Sequence, residues 1–104
     1  MKVIRTVTGD IPPSALGVTL PHEHLYCDQR LCRSDGDFPS TSHPMVLRDV
    51  DLVVKELGAF VAAGGRAVAE MTVHGWGRDV AVLRQISERA GVHVIATAGY
   101  YVED

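Results

Sequence analysis

Hydrophobic positions recur along this chain with two different periods. Val46, Leu47, Val50, Val54, Leu57 and Val61 return at three- and four-residue steps, which lays them along one stripe of an α-helix. Gly64-Gly65 follows, and a glycine just past a helix supplies the left-handed residue that ends it. Ala67-Val68-Ala69-Glu70-Met71-Thr72-Val73 is then almost continuously apolar, the pattern of a strand covered on both faces. Gly75-Trp76-Gly77 interrupts the run. Asp79 is placed to cap a second helix, on which Val80, Leu83, Ile86 and Ala90 share a face and which Gly91 closes. Val92-His93-Val94-Ile95-Ala96-Thr97 predicts a further buried strand.

Upstream the patterns are shorter. Lys2 to Val7 alternates and runs into Thr8-Gly9-Asp10, predicting a strand and a turn, and Pro12-Pro13 excludes a central strand after it. Gly17-Val18-Thr19-Leu20 predicts a short strand that Pro21 stops, with His22-Glu23-His24-Leu25 directly behind it. From Cys27 to about Pro44 the composition turns to Asp, Ser, Arg, Gly and Pro, which predicts a long loop of the kind that carries function.

Strand, helix, strand, helix, strand in that order predicts a parallel sheet with its helices outside. An open doubly wound sheet and a (β/α)8 barrel both satisfy it. The glycine signature of a dinucleotide site is missing, since Gly75-Trp76-Gly77 leads into Arg78, Asp79 and Val80. A closed barrel takes about 200 to 250 residues, so 104 residues predict its N-terminal portion, about three strands, with residues 1–104 forming part of one domain left open at its C-terminal end. Such a piece exposes a strand edge and an apolar interior face, so the isolated chain is expected to be neither independently stable nor active.

Composition narrows the function classes. At 46% apolar and 22% charged the chain can bury a core, and a net charge of -3 with no basic run excludes a surface that tracks nucleic-acid phosphates. The longest stretch without a charged side chain, Ala90 to Val102, is 13 residues, short of the roughly 20 that a membrane helix needs. Met1-Lys2-Val3-Ile4-Arg5-Thr6 has no apolar signal core, which predicts a cytoplasmic protein. Cys27 and Cys32 have neither redox nor disulfide-framework spacing and read as reduced loop residues.

Chemistry concentrates on the histidines. His22 and His24 are two apart at the C-terminal end of the first predicted parallel strand, so both imidazoles project from one face while Glu23 points away. That end of a barrel strand is where barrel active sites sit, and neutral imidazole suits zinc-like ions, so the pair can hold a metal. Two solvated histidines are the bland alternative. Glu70 stands in a run that otherwise reads as buried and therefore needs a partner. It either orients a ligand imidazole from behind or pairs with Arg78 or Arg66. Arg78-Asp79 reads as a helix cap beside a cation. Trp76 and Tyr101 follow the next two strands on the substrate side, as pocket walls or as aromatics packed beneath a loop. His74 and His93 read as non-ligands, and His43 sits in the loop before Pro44.

Several strings together, Gly9-Asp10-Ile11, then Leu16-Gly17-Val18-Thr19-Leu20-Pro21-His22-Glu23-His24-Leu25, then Thr72 with Gly77-Arg78-Asp79, then Ala98-Gly99-Tyr100-Tyr101, resemble the N-terminal part of the phosphotriesterase family of the amidohydrolase superfamily. The resemblance spans essentially the whole chain. It implies a (β/α)8 barrel carrying two divalent ions, zinc foremost, at its mouth, with a bridging hydroxide that hydrolyses phosphoester, lactone or related ester bonds. The family's first two metal ligands match His22 and His24, and its other ligands would lie beyond Asp104. By the same resemblance Tyr101 falls where the family places an aromatic beside the metals, and a tyrosine there is similar to the lactonase branch. The expected partner is a small-molecule ester, lactone or phosphoester, without nucleic acid or membrane, and a homodimer is left open. The alternative is a non-catalytic homologue or fragment that keeps the fold for binding or assembly.

Overall fold

The computed structural model describes residues 1–31 and 44–99. The chain opens with an antiparallel hairpin of β1 (Ile4–Thr6) and β2 (Gly9–Ile11). It continues through β3 (Val18–Glu23) to a second small pairing, β4 (Cys27–Asp28) against β5 (Val46–Leu47). Then follow α1 (Val50–Ala62), β6 (Gly65–Glu70), α2 (Val80–Ala90) and β7 (His93–Ala96). The three longer-range strands pair in parallel in the order β3-β6-β7, each crossover made by one helix, as the alternation of periods predicts.

The register explains the core. Leu20 pairs with Val68 and Val68 with Val94, so one row of side chains faces the helices. There Val68 and Val94 meet Leu57 of α1 and Leu83 and Ile86 of α2, all buried in one cluster. Burying each such side chain contributes about 1.5–3 kcal/mol relative to leaving it in water. Helix ends follow local chemistry. Asp79 caps α2 by accepting the Val82 N–H at 3.1 Å, and Gly91 ends it at φ 70°, a left-handed conformation that glycine adopts without a Cβ clash. Among the described residues no helix is long and apolar enough to cross a membrane.

Four sequence expectations need correction. The hairpin has a second strand at Gly9–Ile11 where a turn was expected. Val46 and Leu47 are not helical: they form β5, and α1 starts later because the Asp49 side chain accepts the Leu52 N–H at 3.0 Å. Pro21 does not stop its strand. β3 lies at the end of the three-stranded sheet, and its ladder with β6 slips between Leu20 and Glu23, the kind of irregular edge position where a residue without an N–H fits. Cys27 is not a loop residue but is buried in β4, packed with Val73 and Trp76.

The β4-β5 pairing is tied down by a buried carboxylate. Asp28 takes Arg30 Nε at 2.8 Å and Nη2 at 2.7 Å, with Arg48 Nε 3.5 Å away. Arg48 in turn lies over the Tyr26 ring, 5.4 Å from its centroid. The Arg30 hydrogen bond, ahead of the charges of Arg30 and Arg48, holds the Asp28 carboxyl down to about 2 from its ordinary 3.8. A depressed folded-state value stabilises the fold above the unfolded value and loses that contribution as pH falls through the folded one. The intact protein and its Asp28→Asn variant should therefore differ in stability by a constant amount above about pH 4 and converge toward pH 2. Urea titrations across that range check it, and a difference that survives at the acid end would contradict the assignment.

Candidate metal centre

His22 ends up inside β3 and His24 one residue past it. Their rings stand 5.6 Å apart between centroids at 71°, with His22 exposed and His24 half-buried. Glu23 lines a cavity beneath α1 with Leu20, Leu57 and Phe60, which His24 also borders. The main chain here is held to the next strand by the Met71 N–H, which donates to the Glu23 carbonyl at 2.8 Å.

Glu70, at the end of β6, is 1% exposed. Its Oε2 accepts the N–H groups of Leu25 at 3.1 Å and Tyr26 at 3.4 Å and the Thr72 hydroxyl at 3.0 Å, while Oε1 accepts the Thr72 N–H. The arginine alternatives fall away. Arg66 donates to the Gly65 carbonyl and Arg78 to the Thr97 carbonyl, so neither serves Glu70. Arg78 therefore braces the exit of β7, and Asp79 is the cap that the sequence predicts.

Glu70 reaches His24 through an intermediary. Thr72 Oγ1 lies 2.9 Å from His24 Nδ1, completing a chain from imidazole to hydroxyl to carboxylate. Thr72, fully buried, is the residue that sequence reasoning missed as part of the site. Its position two residues after Glu70 was the available signal. Burial, the largest influence, pushes the His24 imidazole below its ordinary value against the opposing charge of Glu70. The neutral, metal-binding form is thereby favoured near pH 7.

Trp76 lies beside His24, with ring centroids 5.4 Å apart at a 42° tilt. It is 6% exposed and packed with Cys27 and Val73, so here it is a buried wall behind the imidazole rather than an open pocket surface. Burial raises the Cys27 thiol above its ordinary value. Tyr101, Cys32 and His43 lie outside the described residues.

Two neighbouring imidazoles, one biased toward its neutral form, suit a zinc-like ion as part of a ligand set. They do not complete one, since a catalytic zinc takes three protein ligands and an open position. Among the described residues no group of three or more His, Cys, Asp or Glu is gathered around a common point.

Comparison with known proteins gives the family and the fold. The model of the phosphotriesterase family matches residues 2–104. An N-acetyltaurine hydrolase from Rattus norvegicus is 35% identical over 123 residues, covering 96% of this chain and 35% of that protein. Among solved structures, a resiniferatoxin-binding protein from Rhodobacter sphaeroides superimposes with a TM-score of 0.83 at 37% identity, over 97% of this chain and 35% of that one. A lactonase from Listeria monocytogenes gives 0.79 at 31%, over 94% and 28%. The chain thus spans about 35% of the length of the curated relatives it matches. Its three parallel strands are an arc of a (β/α)8 barrel, not an open doubly wound sheet.

Proposed function

Because the chain belongs to the phosphotriesterase family, we propose that the intact protein is a metal-dependent hydrolase to which this chain supplies His22 and His24 as the first two metal ligands. The observation that carries the reading is the His24-Thr72-Glu70 chain behind two adjacent imidazoles. A buried carboxylate that orients an imidazole from behind is the outer arrangement that metal-ligating histidines use. Two solvated histidines would need none of it.

When bound, two divalent ions would lower the pKa of water to near neutrality and polarise the electrophile, so no serine or cysteine nucleophile is needed. The chain's own part is to hold two nitrogen donors at the strand mouth, keep His24 neutral and shield its back with Trp76. The substrate class we favour is a small acyl compound, a lactone, ester or simple amide. This is supported by the rat relative, an N-acetyltaurine hydrolase, and by the Listeria lactonase, with phosphoesters as the competing electrophile.

The test combines metal analysis of the purified intact protein with hydrolysis of a γ-lactone, an aryl ester, N-acetyltaurine and an aryl phosphotriester. Stoichiometric divalent metal is expected, with acyl-substrate turnover that a chelator removes and added zinc restores. A protein without metal and without turnover would instead be a binding or assembly homologue.

A further inference from the structure

The hydroxyl of Thr72 sits between a ring nitrogen and a carboxylate oxygen, 2.9 Å from His24 Nδ1 and 3.0 Å from Glu70 Oε2. It has one proton for three neighbours, and the third, the Cys27 sulfur, is too weak an acceptor to compete with the other two. A carboxylate is acceptor-only, and Glu70 already takes N–H groups from Leu25, Tyr26 and Thr72. If Thr72 donated to His24, two bare oxygens would face each other at 3.0 Å in a fully buried place, which leaves acceptors unsatisfied and repelling. The proton therefore goes to Glu70. The lone pair that Thr72 turns toward His24 then makes a hydrogen bond only if Nδ1 carries a hydrogen.

We infer that Thr72 is a positioning residue that fixes His24 as its Nδ1–H tautomer and presents Nε2 as the free donor atom. The tautomer of an imidazole is set by the hydrogen bond its other nitrogen makes. The same carboxylate grips the N–H groups of Leu25 and Tyr26, the two residues directly after His24, so ring and main chain are oriented by one buried group. The value of this arrangement for metal binding rests on the proposed function, whereas the tautomer assignment stands on hydrogen bonding alone.

Two-bond proton-nitrogen correlations on the ¹⁵N-labelled, metal-free intact protein read the tautomer directly. Wild type should show a protonated Nδ1 and an unprotonated Nε2 at His24. Thr72→Val keeps the shape and removes the hydroxyl, so the signal should shift toward the other tautomer, while Thr72→Ser restores it. Zinc affinity, measured with zinc alone against a competing chelator, should fall about 10–100-fold in Thr72→Val and recover in Thr72→Ser. An unprotonated Nδ1 in wild type overturns the inference without any variant, as does an unchanged tautomer in a folded Thr72→Val. A wild type with the expected tautomer that binds no zinc upholds the role of Thr72 and overturns the metal-dependent reading.

Discussion

Replacing His22 with alanine in the intact protein is expected to remove bound metal and hydrolysis together while leaving the fold in place. Loss of a partner behind a ligand costs about 10–100-fold in metal affinity or activity, so loss of a ligand itself should exceed about 100-fold. His22 is exposed and belongs to neither buried cluster, so stability should change by no more than about 0.5 kcal/mol. His24→Ala should abolish metal equally but also unfold more easily, because its ring packs beside Trp76 and bonds Thr72. Metal content by mass spectrometry, turnover and thermal melts separate the two effects. Full metal stoichiometry in both variants would end the assignment of this pair as ligands.

What the sequence made legible was the part written in local signals. Asp79 and Gly91 bracket α2 because capping chemistry acts within one helical turn, and both behave as their residue types demand. Where a local pattern served a distant partner, the reading slipped. Val46 and Leu47 carry helical spacing, yet they pair with Asp28 and Cys27 across a long separation, and tertiary pairing overrode periodicity. Pro21 was read as a strand stop because a central strand would not tolerate it, but strand position and register slip are properties of the assembled sheet.

The site divides in the same way. The two-residue step from His22 to His24 is a local fact, and it brings the rings together. That Glu70 needed a partner followed from its apolar neighbours. Which partner it took did not, because the backbone N–H groups of Leu25 and Tyr26 lie 45 and 44 residues away, and a side chain list contains no backbone donors. Arginine was the natural candidate from composition, and main-chain amides displaced it.

Those amides make Glu70→Gln the substitution with the largest expected effect on stability. Glu70 Oε2 serves three donors and Oε1 one, a set matched to a group with acceptors only. Glutamine has one acceptor oxygen and an NH2 group. With its oxygen in the Oε2 position, the NH2 confronts the Thr72 N–H; turned over, it confronts the other three donors. Either way at least one buried donor is orphaned, at a cost of about 1–3 kcal/mol. The remaining bonds also fall from charge-assisted to neutral, about half as strong. A total of about 2–4 kcal/mol is expected, read as a lower denaturant midpoint at unchanged slope. Thr72→Val removes the hydroxyl's charge-assisted bond to Glu70 together with its bond to His24, about 1.5–3 kcal/mol, and should cost less than Glu70→Gln because the carboxylate keeps its three main-chain donors and none of them is orphaned. Equal losses in the two variants would move the weight from the carboxylate to the hydroxyl. A Glu70→Gln protein as stable as wild type would show that the main-chain donors find other acceptors, and that Glu70 does not hold the segment after His24 in place.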